Sequence, residues 1–520
     1  SVVRAERPEM TTKGLPKGMG YNASADAFVP AEMQRMLDAY GNHPSFVFMC
    51  IGNELGNSDF DVMEKWVKEL KDKDNRRLYS VSTARKIMPV DQYMVTHNIP
   101  NVGGTYRINP NGTDSDLEAN YSKAEIPIIA HEVGQFPVYP LWSEINKYKG
   151  VLEARNLEEL KALAAKNDLL GMGEKFHMAS GNLQNILYKA LIENSMRTPS
   201  SAGFTMLSMT DYSGQGEALI GWLDSFWDSK GYLKPSTFRG YSNTVVPLTR
   251  FKKYTWQNNE TFTAVINVAN YSDKDLNNVI TWEIKTDDGQ ILGKGEFNKF
   301  IKQGQLNSVG AIEVALNDVT KPVKATLTVS VNNTSFTNFW NIWIYPPVDV
   351  ADDKGILVKN IFDTEAIATL QKGGKVLLVA NKLGKDDNIT PINFESLFWS
   401  TSFFPGQSNR TLGLYIDKNH PAFNYFPTDM FNDWQWKAVS RGNSYILNNF
   451  KDITPIVQSV SDFHINDRLG SIFEVKVGNG KLLVCGHDIN ADDIVAKQLK
   501  YSLQQYMKQP AFNPTNTITV

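Results

Sequence analysis

Ser45-Phe-Val-Phe-Met-Cys-Ile-Gly-Asn-Glu54 is apolar for most of its length and then ends in an amide and a carboxylate. Such a run fits a strand buried on both faces, the habit of parallel sheets. Parallel barrels present their chemistry where strands end, so Asn53 and Glu54 are candidates by position. The flanks read as helices. Upstream, Met33, Met36, Leu37 and Tyr40 recur at helical spacing, with Pro30 near the start and Gly41 just past the end. Downstream, Met63, Trp66, Val67 and Leu70 repeat the pattern. Further apolar runs at 78–82, 93–97, 126–131 and 202–208, with 1–6 as one more, extend the β-α alternation to about residue 245.

Beyond that point the period changes to two. Phe262-Thr-Ala-Val-Ile-Asn-Val, Val279-Ile-Thr-Trp-Glu-Ile and Lys324-Ala-Thr-Leu-Thr-Val-Ser-Val predict an immunoglobulin-like β-sandwich over 246–347, with a hairpin turn at Asp287-Asp-Gly-Gln. Residues 348–520 return to mixed α/β. A helix is expected over 366–371 and another over 492–507. Buried strands are expected at Val376-Leu-Leu-Val and Leu482-Leu-Val-Cys485 of a parallel sheet, the type seen in flavodoxin- and amidotransferase-like domains. Gly478-Asn-Gly-Lys481 reads as a hairpin turn, not a phosphate loop, because the spacing is wrong.

Composition narrows the function classes. The 520 residues carry 53 Lys and Arg against 56 Asp and Glu, a net charge of −3, which gives no electrostatic footprint for nucleic acid or anionic membrane. No apolar run approaches the roughly 20 residues of a membrane span. Two cysteines, Cys50 and Cys485, exclude a disulfide scaffold and a multi-cysteine zinc site. The seven histidines show no ligand spacing, so neither metal nor cofactor is expected.

A second apolar run, Ile126-Pro-Ile-Ile-Ala-His-Glu132, again ends in a carboxylate, 78 residues after Glu54. Two carboxylates at the ends of different strands are the parts that glycosidic bond cleavage needs. These phrases carry a resemblance. Asn42-His-Pro-Ser with Gly52-Asn-Glu54 resembles the acid/base segment of glycoside hydrolase family 2, which includes β-galactosidases, β-glucuronidases and β-mannosidases. Pro127-Ile-Ile-Ala-His-Glu132 resembles its nucleophile segment. Gly203-Phe-Thr-Met-Leu-Ser-Met-Thr-Asp-Tyr-Ser-Gly-Gln-Gly216 resembles the last barrel strand and loop of one branch.

The resemblance covers residues 1–245 and implies a retaining exo-glycosidase on a (β/α)8 TIM barrel that acts on a carbohydrate. Glu54 would be the acid/base, Glu132 the nucleophile, and Asn53 a partner of the hydroxyl beside the anomeric centre. His97 would orient Glu132, with Tyr106 as a second donor to it. Glu54 should sit where the neutral acid is favoured. His131 is less favoured, because neighbouring strand residues point to opposite faces. Glu6 and Asp211 are weaker substrate contacts. Leu207-Ser-Met209 stands where better-known members place a tryptophan, which changes the expected floor of the sugar subsite. Only six barrel strands are found, so the resemblance also implies missing N-terminal strands and domains of the same enzyme. It further implies a periplasmic or extracellular setting, and it leaves an oligomer open.

Two rivals stand beside this reading. One is a catalytically silent carbohydrate-binding or scaffold relative. The other makes the C-terminal domain the active part through Cys485 and His487, but no Gly-x-Cys-x-Gly elbow surrounds that cysteine.

Overall fold

The computed structural model describes residues 18–212, 218–351, 353–382 and 388–518. Those within 1–108, 115–133 and 191–207 form one compact unit, and those within 109–114, 134–190 and 208–520 the other. The expected strand over 1–6, and Glu6 with it, lies outside the described residues.

The first unit opens with α1, Ala23–Tyr40, then β1, Phe48–Asn53, α2, Phe60–Lys73, and β2, Leu78–Thr83. The Asn22 side chain accepts from the backbone N–H groups of Ser24 and Ala25 and starts α1 eight residues before Pro30. The helix therefore begins earlier than the proline suggests, and Pro30 lies inside it; a good cap outweighs the one bond the proline removes. Asp59 caps α2 in the same way. Met33, Leu37, Met63, Val67 and Leu70 bury against Met49, Tyr79 and Val81 of the two strands. β1 runs parallel to β2.

β3, Met94–Thr96, follows β2 directly, joined by backbone bonds from Ala84 N to Val95 O and from Gln92 N to Tyr79 O. A small hairpin, β4 (Asn98–Ile99) and β5 (Gly103–Gly104), then returns the chain so that Thr105 N reaches His97 O. After the short α3, Glu118–Tyr121, come β6, Ile128–Val133, and β7, Ser201–Met206; β3, β6 and β7 are parallel. The parallel pairs β1–β2 and β3–β6 agree with the alternation read from the sequence, and the β4–β5 hairpin between them is antiparallel. The strand at 45–54 differs in one respect: it is buried on one face only, and Phe48 is 45% exposed. Among the described residues β1 pairs on one edge only, with β2.

In the second unit, α4 (Arg155–Lys166) and α5 (Gly173–Met196, whose last six residues belong to the first unit) precede an all-β region. Its strands β8 (Val245–Arg250), β10 (Thr261–Asn270) and β13 (Gln305–Ala315) form one antiparallel sheet. A second sheet has the order β12-β11-β14-β15-β9, with β9 Thr255–Gln257, β11 Leu276–Thr286, β12 Ile291–Ile301, β14 Val323–Val331 and β15 Thr337–Tyr345. The β11–β12 hairpin turns at Gly289, whose φ of +96° suits glycine.

The last sheet departs from expectation. Ile356–Lys359, Lys375–Val379 and Gly480–Cys485 pair in parallel, whereas Ile472–Val477, Val457–Ser461 and Thr411–Ile416 continue it antiparallel. The sheet is mixed because the turn at Gly478-Asn-Gly makes a hairpin of what would otherwise be a crossover. Among the described residues no helix is long and apolar enough to cross a membrane.

Candidate active site

Each parallel strand of the first unit delivers a polar group at or just past its C-terminal end. Asn53 and Glu54 come from β1, Thr83 and Arg85 from β2, His97 from β3, His131 and Glu132 from β6, and Thr205 from β7. The backbone is special at both carboxylates: φ is +54° at Glu54 and +49° at Glu132. A left-handed residue other than glycine costs on the order of 1–3 kcal/mol and persists only where its surroundings enforce it. At Glu54 the enforcement is visible, since its N–H donates to Thr83 Oγ1 (2.9 Å) and approaches Thr83 O (3.2 Å). At Glu132 the N–H donates to Thr205 Oγ1 at 3.3 Å.

The turn at Glu132 corrects the expectation for His131. The β6–β7 register slips between Ala130 and Val133, so strict alternation fails there. His131 and Glu132 therefore face the same site, with His131 Nε2 3.5 Å from Glu132 Oε1. His131 also meets Asn53 Oδ1 at 2.9 Å, and the His97 and His131 rings lie 4.6 Å apart.

His97 is the hub. Its Nε2 is 3.3 Å from Glu132 Oε2 and 3.5 Å from Glu54 Oε1. The Tyr106 hydroxyl lies 3.4 Å from His97 Nδ1. Asn53 Oδ1 accepts from Thr83 Oγ1 at 2.7 Å and faces His131, which leaves its amide N–H groups to serve a ligand. Arg85 Nη2 is 3.2 Å from Glu54 Oε2.

The electrostatics follow from these contacts. Burial alone would lower the His97 pKa, but hydrogen bonds to Glu132 and Glu54 and their charges reverse that and push it up to about 9. For Glu54, the hydrogen bond from His97 outweighs burial, and Arg85 adds to it, so the carboxyl is held below its ordinary value. The neutral acid is thus not favoured at Glu54, contrary to expectation: two cations reach a carboxyl that stays partly open to solvent. His131 goes down, chiefly by burial, against the pull of Glu132. Burial, with the Glu132 charge, raises Tyr106.

Asn53, Glu54, His97, Tyr106, His131 and Glu132 are thus brought together. Asp211 is not among them. It is buried in the second unit, where its carboxylate takes the Lys230 ammonium at 2.6 Å and the Gly221 N–H at 2.9 Å. Sequence reading missed Thr83 and Arg85; their one signal is a place at the end of an apolar run, Leu78-Tyr-Ser-Val-Ser-Thr83. Four donors, from Glu54, His97, His131 and Glu132, lie within 4.8 Å of one another, a set able to hold a metal ion. In the C-terminal sheet, Cys485 and His487 form no nucleophile pair. Burial pushes the thiol up to about 12, and the imidazole is used by Val439 O and Ser471 Oγ at 3.1 and 3.0 Å.

Two domain families described as being of unknown function match the chain, DUF8488 over residues 260–346 and DUF8487 over 357–520. None of the curated proteins matches. Among solved structures the chain is similar to β-glucuronidase 3 of Bacteroides uniformis, at 15% identity and TM-score 0.31, over 64% of this chain and 41% of that one. It is similar also to the β-D-mannosidase of Dictyoglomus thermophilum, at 14% identity and TM-score 0.39, over 63% and 41%. A third is the β-glucuronidase of Parabacteroides merdae, at 11% and TM-score 0.30, over 64% and 42%. The chain spans about two-fifths of the length of each. At such identities and TM-scores the likeness assigns neither substrate nor mechanism.

Proposed function

We propose that the first unit is part of a (β/α)8 barrel of a retaining glycoside hydrolase similar to family 2, acting on a terminal sugar of a carbohydrate. One observation carries this reading: His97 touches both Glu54 and Glu132, which end different parallel strands. Inverting pairs stand roughly 6.5–9.5 Å apart to admit a water, while retaining pairs stand at roughly 5–5.5 Å. Donor atoms of the two within 4.8 Å favour the retaining case.

In the proposed reaction, a Glu132 oxygen attacks the anomeric carbon while the glycosidic C–O bond breaks. The leaving oxygen takes a proton from Glu54, and the sugar remains as an ester on Glu132. Glu54 then removes a proton from water, which attacks the same carbon and frees Glu132. Glu54 is held ionised at rest, so its proton must be supplied, and the His97 imidazolium at 3.5 Å is the nearest source. Asn53 would offer its amide to the neighbouring hydroxyl.

The low Glu54 pKa also favours a second reading, a carbohydrate-binding relative without turnover. A panel of nitrophenyl glycosides separates the two. The hydrolase releases nitrophenol, and Glu132→Ala stops it; the silent relative binds a sugar and releases nothing. Release that survives Glu132→Ala sinks the proposal.

A further inference from the structure

The same four side chains have the makings of a metal centre. A tetrahedral zinc site with Zn–N and Zn–O bonds of about 2.0–2.2 Å has donor–donor edges of roughly 3.3–3.5 Å. Two edges match through one Glu132 oxygen, 3.3 Å from His97 Nε2 to Glu132 Oε2 and 3.5 Å from His97 Nε2 to Glu54 Oε1; His131 Nε2 stands 3.5 Å from the other Glu132 oxygen, and all four donors lie within 4.8 Å of one another, so small side-chain shifts close the tetrahedron. Two imidazoles with two carboxylates suit Zn²⁺ better than Mg²⁺ or Ca²⁺, which prefer oxygen donors in larger number. The donors sit on ends of three parallel strands and not on a mobile tail, so little reorganisation is needed.

The outer contacts fit as well. A metal-bound imidazole normally donates its other N–H, which fixes the ring. His97 Nδ1 faces the Tyr106 hydroxyl at 3.4 Å for that purpose. His131 is the weaker arm. Its Nδ1 is buried with no partner, so moving the proton there to free Nε2 costs about 1–3 kcal/mol. That is small beside the roughly 10–16 kcal/mol of a structural zinc site.

We propose that Glu54, His97, His131 and Glu132 form a zinc-class metal site, and that a bound ion and glycoside turnover exclude one another. The ion would occupy both carboxylates, leaving no nucleophile and no acid/base. The exclusion rests on the glycosidase reading; the binding does not.

The test uses Co²⁺ as a coloured stand-in, added to the whole 520-residue chain. One equivalent should give the strong visible bands of four-coordinate cobalt, and one equivalent of Zn²⁺ should bleach them. His97→Ala and His131→Ala, shown folded by circular dichroism, should lose the bands. Tyr106→Phe should keep them with affinity about 10-fold weaker, the low end of outer-contact effects. Weak six-coordinate bands, or bands undiminished in folded His97→Ala, overturn the site; if that variant does not fold, Glu132→Gln answers the same question. On a turned-over glycoside, Zn²⁺ should stop release and a chelator restore it; turnover undisturbed at saturating zinc overturns the exclusion. If no glycoside is turned over, the glycosidase reading has failed and the cobalt bands alone decide the metal site.

Discussion

Two clusters of acids and cations in this chain use similar residues to opposite ends. In the first unit Glu54 and Glu132 share His97 at the open ends of parallel strands. In the second, Glu144, Asp211 and Asp224 line a cavity of about 120 Å³ together with Lys147 and Lys230. There each lysine is spent: Lys230 on Asp211, Lys147 on Asp224 and Asp228. Burial pushes Asp211 up to about 6 and Glu144 up to about 7 there, while hydrogen bonds, that from Lys147 foremost, hold Asp224 down. At the strand ends hydrogen bonds dominate instead and hold Glu54 down. A saturated, buried cluster holds structure, whereas a shared proton between two accessible carboxylates can move when a ligand enters.

The sharpest way to break this contrast is to remove one acid from the open cluster. Glu132→Ala should lower turnover on every glycoside by on the order of 10⁴-fold or more, measured by nitrophenol release, with no loss of folding. Lys230→Met attacks the closed cluster and should do the reverse. It strands a buried Asp211 and should cost about 3–5 kcal/mol in urea unfolding, with much of it regained in the Lys230→Met/Asp211→Asn pair. If Lys230→Met is as stable as the parent, the closed cluster is not structural.

Glu54→Ala should cost about 10²–10⁴-fold on poor leaving groups and far less in the first step on nitrophenyl glycosides, which need little protonation. Azide, attacking the ester without a general base, should restore turnover. Equal loss on both substrate classes would remove Glu54 from the acid/base role.

The smallest expected effect is on stability against pH. His97 has its pKa raised to about 9, so its contribution is whole below the ordinary value of about 6.5 and is lost as pH rises through about 9. The melting temperature should fall across that window, and less so in His97→Gln. Glu54 acts with the opposite sign, its contribution present above about 4.5 and lost as pH falls through its lowered pKa.

Much of the open cluster was legible because an apolar strand that ends in a carboxylate is a local pattern, seen at Asn53-Glu54 and again at His131-Glu132. Three things were not local. His131 joins the site through a left-handed backbone at Glu132, which no periodicity reveals. Arg85 and Thr83 matter through contacts across strands, about 30 residues from Glu54 and Asn53. Asp211, read as a substrate contact from its place after a strand, is claimed by a lysine 19 residues on. The mixed C-terminal sheet was misread for a similar reason, since a buried strand looks the same whether its neighbour runs with it or against it.

The central claim is that Glu132 becomes covalently attached to the sugar. Incubation with 2-deoxy-2-fluoroglycosyl fluorides, whose esters hydrolyse slowly, followed by peptide mass spectrometry tests it most directly. The account predicts a single fluoroglycosyl adduct on the peptide containing Glu132, absent in Glu132→Ala. An adduct on another carboxylate, or turnover with inversion at the anomeric carbon and no adduct, would contradict it.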